Sequence, residues 1–397
     1  MSEYPSDWQV VKLADIAAIS ASNVDKKVRE GQKPVQLCNY MDVFQNSAIT
    51  KNLHFMESTA SEKEIRDFSL FKGDVLLTKD SEIPEEIGVP SVVKDDVTDL
   101  ICGYHLYILQ PRKSQIDPEY LCWSLRNASV RKYFYQMANG STRFGLNAKH
   151  VEECPIALPS LPEQKKIAEI LSGIDRVLEK TRNMIHANHN LRAGLLREQI
   201  GKFVPTTKLD AVATRVSGHT PSKSHPEYWN GGIPWISLTD TAKLDKRYIT
   251  HTAKQISEKG IQNSSAVLHP PGLVVLSRDA NVGCSAITTK PMAVSQHFIG
   301  WICGDSINNK FLYYLLQDRK PRFQAIAMGS TIPTIGLSFF RDLEIPVPSL
   351  KEQKKISDAL NSVDMKVDYL ENKVSTLKNM KQAIAADLLS GRKRVSV

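Results

Sequence analysis

The sequence predicts a tandem α/β (α+β) protein: two mixed α/β domains separated by two long antiparallel coiled-coil helices, with pseudo-twofold symmetry between the halves. Three observations predict it. A segment from the middle of the chain returns near its end, a heptad of apolar residues runs on from each copy, and short strand-like and helix-like runs precede each copy.

The repeat comes first because it organises the rest. PSLPEQKKIAEILSGID begins at Pro159, and PSLKEQKKISDALNSVD begins at Pro348, 189 residues on, with ten of seventeen positions identical. Gly140-Ser141-Thr142 and Gly329-Ser330-Thr331 keep the same offset. Upstream the echo is weaker. LFKGDVLLTKD, ending at Asp80, resembles HPPGLVVLSRD, ending at Asp279; EYLCWSLRN from Glu119 resembles KFLYYLLQD from Lys310; KLADIAAIS from Lys12 resembles KLDAVATRVS from Lys208. The domain limits that follow are 1–158 and 202–347, with the helices in 159–201 and 348–397.

Each helix opens on a capping-box pattern, Ser160-Leu161-Pro162-Glu163 and Ser349-Leu350-Lys351-Glu352, in which the Ser oxygen accepts from an orphan N–H and the Glu reaches back three residues. Pro159 and Pro348 bar continuation from upstream; Gly201 and Gly391 supply the stops. In the second helix one seam position holds Ile356, Val363, Leu370, Leu377 and Ile384, and the other Leu360, Val367, Val374, Lys381 and Leu388. Nine of these ten are apolar, as a coiled-coil seam requires. The first helix carries Ile167, Ile174, Thr181, Asn188 and Leu195 with Leu171, Leu178, Ile185, Arg192 and Gln199. Arg192 and Lys381 break the two seams at the same place. The expected packing is a mutual antiparallel pair. About 40 residues at 1.5 Å each make roughly 60 Å, which after fraying matches one to one and a half turns of B-DNA, roughly 34–50 Å.

In the preceding units, strand-like runs are 35–38, 74–78, 106–109, 274–277 and 298–302, and helix-like runs are 118–135 and 308–328. Ser217–Pro221 and Trp229–Gly232 read as turns. Trp229 and Trp235 read as core residues.

Composition narrows the function. The 397 residues carry a net charge of +8, a balance that suits a polyanion partner. No run of about 18 apolar residues is present, so no membrane span is expected, and the opening MSEYPSDWQV lacks the pattern of a signal peptide. Cys38, Cys102, Cys122, Cys154, Cys284 and Cys303 are scattered without a C-x-x-C pair, as expected of reduced, buried thiols in a cytoplasmic protein. No phosphate-cradling glycine motif and no Asn/Asp-Pro-Pro-Phe/Tyr of an adenine methylase occurs. Glu163-Gln164-Lys165 and Glu352-Gln353-Lys354 match half of a nuclease motif, but helix capping accounts for them. His186 and His189 have no third ligand, so no metal site is expected.

At the residue level, GHTPSKSHPEYWNGGIPWISLTD from Gly218 resembles the opening of a target recognition domain in type I restriction specificity subunits. PPGLVVLSRDANVG from Pro270, Ser295–Phe298, GSTIPTI from Gly329, IPVPSLKEQKKI from Ile345 and the basic GRKRV follow in the order that family shows. The first half keeps the pattern more loosely, without the Gly-x-Thr-Pro and Ile-Pro-Trp segments. The resemblance implies a non-catalytic DNA-binding subunit that reads a bipartite, asymmetric site in double-stranded DNA, one domain per half. It also implies helices that dock two modification subunits, which carry S-adenosylmethionine and methylate adenine. A restriction (motor–nuclease) subunit using ATP and Mg2+ would complete the complex, and no cofactor is expected on this chain. The alternatives are a specificity subunit for a fused methylase–nuclease partner and a coiled-coil adaptor that binds no DNA.

DNA contacts require Lys, Arg or polar donors on loops. The candidates are Lys79, His105, Ser141, Thr142, Arg143 and Lys149 in the first domain, and His219, Lys223, Arg278, Asn281, Gln296, His297, Ser330 and Thr331 in the second. Arg143 and Arg278 lead, because each lies in a loop beside glycine from which a guanine edge is within bidentate reach. A turn ahead of the next element accounts for Gly-Ser-Thr equally well.

Overall fold

The computed structural model describes residues 4–396. The chain divides into two compact units. One joins Met1–Thr181 to Lys373–Val397, and the other is Arg182–Asn372.

The duplication reappears as topology. In the first unit a five-stranded sheet has the order Ala17–Ala21, Leu106–Pro111, Val75–Thr78, Pro90–Val93, Ala48–Ile49, antiparallel except for the last pair. A second sheet places Lys33–Cys38 between Met56–Ala60 and Leu100–Cys102. The second unit repeats both. Its five-stranded sheet runs Ala213–Ser217, Phe298–Cys303, Val274–Ser277, Ser285–Thr288, Tyr248–Ile249, again with a parallel last pair, and its three-stranded sheet is centred on Trp229–Ile236. The inner strands Val75–Thr78 and Val274–Ser277 are buried along their whole length. That is why they read as unbroken apolar runs rather than alternating ones.

Three expectations are corrected. The run 118–135 is two helices, Pro118–Leu125 and Ala128–Met137, broken at Arg126 and Asn127. The run 308–328 is also two, Asn309–Asp318 and Lys320–Ile326, because Pro321 cannot donate into the preceding turn and starts a new helix instead. Trp229–Gly232 is not a turn but the bulged start of a strand. Asn230 and Gly232 take positive φ (58° and 88°), and the register to Lys254–Ile256 shifts there.

The long helices are Leu161–Gly201 and Leu350–Leu389. In the first unit the start of the central helix packs on the end of the C-terminal one. Ile167, Ala168 and Leu171 share a core with Trp123, Leu125, Leu388 and Leu389, Asp175 pairs with Lys381, and Glu163 with Arg394. In the second unit Leu196 and Ile200 share a core with Ile356 and Leu360, and Arg192 pairs with Asp364. Within each unit the partners run in opposite directions. Every heptad seam position is buried or half-buried, but Leu196 and Ile200 are buried more deeply than the seam residues Leu195 and Gln199 beside them. A straight helix drifts about 20° per heptad against a 3.5 repeat, so the buried stripe has moved by one residue over four heptads.

The cations that interrupt the seams sit in matching settings. Lys381 contacts Asp175 at 2.5 Å and lies over the Trp123 ring. Arg192 contacts Asp364 at 2.7 Å and lies over the Tyr314 ring. Trp123 and Tyr314 occupy equivalent places on the helices Pro118–Leu125 and Asn309–Asp318.

The repeated glutamines act as staples. Buried Gln164 accepts from Asp117 N–H and donates to the carbonyls of Gln115 and Pro159. Gln353 does the same with Asn308, Ser306 and Pro348. Asp117 and Asn308 are the N-caps of those short helices, so each glutamine fixes one helix start against another. The capping-box expectation holds for Ser349 and Glu352, which bond reciprocally. It fails for Glu163: Arg394, itself bonded to Asp7, takes both carboxylate oxygens.

Candidate nucleic-acid interface

In the first unit, Lys79 and Asp80 continue from the inner strand Val75–Thr78, and His105, at φ 72°, leads into the neighbouring strand. These two strands are register partners, so His105 and Asp80 meet with Nδ1 2.8 Å from the carboxylate Oδ2. A third segment arrives from the loop after Met137. Asn139 and Gly145 exchange backbone hydrogen bonds at 3.0 and 2.9 Å and close the loop Gly140-Ser141-Thr142-Arg143. Gly140 is obligatory: at φ 143° it lies so near the Arg143 carbonyl that a Cβ would stand 1.9 Å from the oxygen. The closed loop carries Arg143 onto Asp80, with Nε 2.8 Å from Oδ1 and Nη2 on the same oxygen.

Asp80 therefore holds two cationic or donor side chains while its own carboxylate is only 16% exposed, against 57% for Arg143. Lys79 lies 5.8 Å from the Tyr107 ring centroid, and its carbonyl accepts from Leu146 N–H. An open groove of about 270 Å³ runs past Asp80, His105 and Arg143, walled by Lys26, Tyr40, Met41 and Glu82. Burial raises the Tyr40 phenol above its usual range. Ser141 and Thr142 are exposed on the loop. Lys149 is exposed on the helix Ala148–Glu152, and among the described residues no side-chain hydrogen bond or ion pair ties it to the cluster.

The second unit places Arg278 and Asp279 after Val274–Ser277 and His297 before Phe298–Cys303. His297 Nδ1 is 2.8 Å from Asp279 Oδ2. The loop Gly329–Ile332 is closed by Met328 and Thr334 in the same way, and Gly329, at φ 114°, lies under the Ile332 carbonyl. Here the arginine is arranged differently. Arg278 donates to the carbonyls of Gln296 and Ile335 and is 18% exposed. Gln296 accepts from Thr220, which ties in the segment bearing His219. His219, Lys223, Asn281, Ser330 and Thr331 are exposed, and Asn281 donates to Thr241. Trp235 is buried, with Trp229 edge-on at 5.2 Å.

Sequence reasoning thus named most members of both clusters but missed their centres, Asp80 and Asp279. The signal was available: a basic residue followed by Asp ends the same strand in both halves. It also passed over Met328 and Ile332, which are 79% and 53% exposed on the second loop.

Among the described residues no group of three or more His, Cys, Asp or Glu is arranged to hold a metal. No helix is long and apolar enough to cross a membrane. All six cysteines are free thiols, and burial pushes those of Cys154 and Cys303 up to about 12.

Comparison with known proteins agrees with this architecture. Residues 5–185 and again 204–379 match the family described as type I restriction modification DNA specificity domain. A putative type I restriction enzyme MjaX specificity subunit from Methanocaldococcus jannaschii is 22% identical over 419 residues, covering 100% of this chain and 96% of that protein. The EcoR124I/EcoR124II specificity subunit from Escherichia coli is 28% identical over 230 residues, covering 54% of this chain and 56% of that one. The crystal structure of a type I restriction-modification system S subunit from M. genitalium superposes with a TM-score of 0.61 at 15% identity over 96% of each chain, so the fold is shared. With both halves of its length matched, the chain belongs to the type I restriction modification DNA specificity domain family and carries that domain twice.

Proposed function

We propose that the chain is the sequence-reading, non-catalytic subunit of a type I restriction–modification complex. In this reading 1–158 and 202–347 each read half of a bipartite, asymmetric site in double-stranded DNA. The helices in 159–201 and 348–397 act as spacer and docking surface for two adenine-methylating subunits and, through them, for motor–nuclease subunits. S-adenosylmethionine, ATP and Mg2+ belong to those partners, and the complex works in the cytoplasm. The observation that carries the reading is the doubled cluster: in each unit an Asp holds a His at the mouth of a strand pair, beside an exposed Gly-Ser-Thr loop with arginine donors. Such donors, on loops fixed by rigid strands, are what phosphate and base-edge contacts need. The net charge of +8 favours the same polyanion.

Methylome sequencing of a methylation-null host carrying this chain with its neighbouring modification gene tests the reading. The expected result is one split motif with methyladenine in each half, and exchange of residues 202–347 for those of a relative should alter one half only. A soluble, assembled complex that methylates nothing would overturn the assignment.

A further inference from the structure

The two Gly-Ser-Thr loops are equivalent in sequence and backbone, yet the residue after threonine is Arg143 in one and Ile332 in the other. The carboxylate behind each loop records the exchange. Asp80 Oδ1 is occupied by Arg143, whereas Asp279 Oδ1 is buried without a hydrogen-bond partner. Arg278 donates to the carbonyls of Gln296 and Ile335 and stands 3.6 Å from Asp279 Oδ2, which leaves Oδ1 unfilled. Asp80 engages Nε and Nη2 of Arg143, and Nη2 also stands 3.1 Å from His105 Nδ1, which leaves Nη1 of the 57%-exposed guanidinium without a hydrogen bond among the described residues. In the second loop the corresponding surface is apolar, with Ile332 and Met328 both exposed beside otherwise polar neighbours.

We propose that this one position sets the base class read by each half: Arg143, oriented by Asp80, reads a guanine edge, and Ile332 with Met328 reads a thymine methyl group. The inference rests on the DNA-reading assignment above and deepens it. An arginine fixed by a carboxylate presents paired N–H groups to guanine O6 and N7, and an aliphatic tip that offers no donor gains only where a methyl group projects into the groove. DNA also accounts for the polar Gln296 and His297 in the same cluster, side chains suited to the flanking phosphates and bases.

The test uses the intact methylating complex and duplexes bearing the motif found in the methylome. Thymines are replaced singly by uracil and guanines by 7-deazaguanine. One thymine in the half read by 202–347 should lose about fourfold in affinity without its methyl, and Ile332→Ala should abolish that sensitivity. One guanine in the other half should lose on the order of tenfold without N7, and Arg143→Ala should abolish that. Ile332→Arg, for which Asp279 Oδ1 is a ready acceptor, should change one A·T pair of the second half to G·C in the methylated motif and leave the first half intact. Uracil and deazaguanine scans that are flat in the wild-type complex overturn this inference while leaving the split-motif assignment standing, as does an Ile332→Arg complex that methylates the unchanged motif. A wild-type complex that methylates no motif removes the assignment and this inference together.

Discussion

The places where a helix cation meets the globular body differ between the two units in a way that separates what duplication kept from what it let drift. In the first unit Lys381 has one carboxylate, Asp175, and one aromatic face, Trp123. In the second, Asp364 serves three groups at once: Arg192 at 2.7 Å, Tyr314 at 2.8 Å and, at 3.5 Å, Arg247, which is 11% exposed. Arg247 also reaches Asp368. The first unit places its second cation, Arg126, over the Trp123 ring at 5.0 Å rather than on the seam carboxylate. It has a hydroxyl relay, in which Trp123 Nε1 donates to Ser172 and Ser172 to Glu119, which is paired with Lys94. The pair at the seam is common to both units, while the shell around it differs: in the second unit two arginines and a tyrosine share one carboxylate, and in the first an indole and a hydroxyl lead to a separate Lys94–Glu119 pair.

Stability measurements can break or sharpen that contrast. The largest effect is expected from Asp364→Ala, which strands Arg247 and Arg192 without their shared carboxylate. A loss of about 3 kcal/mol in urea unfolding is expected, because removing one side of a buried ion pair leaves the other uncompensated. Asp175→Ala leaves a quarter-exposed Lys381 resting on Trp123 and should cost about 1 kcal/mol. Equal losses would mean that the two junctions are energetically the same. Next are Gln164→Ala and Gln353→Ala, each removing a buried three-bond staple; about 2 kcal/mol is expected for each. The informative result here is equality, since an imbalance beyond experimental error would show that the staples have diverged along with their surroundings. The smallest difference concerns Ser172 and its repeat counterpart Asn361. Ser172→Ala breaks the relay to Trp123 and should cost about 1 kcal/mol. Asn361 donates to Met365 on its own helix instead, so Asn361→Ala should stay within about 0.5 kcal/mol.

The sequence carried the repeat, both long helices and the inner strands, because each is written in a local pattern: identity in register, a 3.5-residue period, or an unbroken apolar run. It also held most of the two polar clusters, since Lys79, His105, Arg143, Arg278 and His297 are donor residues beside glycines or strand ends. What it withheld depends on long-range partners. Glu163 looks like a capping residue until Arg394, 231 positions away, is seen holding it. Nothing near Gln164 or Gln353 says that a side-chain amide at the second turn will satisfy the start of another helix. Asp80 and Asp279 were visible as chain positions, but their role appears only once the sheet register sets each against a histidine from a distant strand. The helix breaks at Asn127 and Pro321 were missed because the apolar pattern continues through them.

The clasp made by Arg394 has a consequence for the order in which the protein is made. The second unit is a single stretch, Arg182–Asn372, and all of it has been synthesised before the closing piece of the first unit begins at Lys373. The first unit is made of two pieces that flank the second in sequence. Asp7 and Glu163 wait for Arg394, and the core around Trp123 waits for Leu388 and Leu389. Domains generally fold as units during synthesis, N-terminal ones first. Here the unit whose larger piece is made first is the one that closes last, and until the residues from 373 onward follow it holds an open apolar face. A premature stop between residues 372 and 388 would leave the later-made half with all of its parts and the earlier-made half without its closing strip.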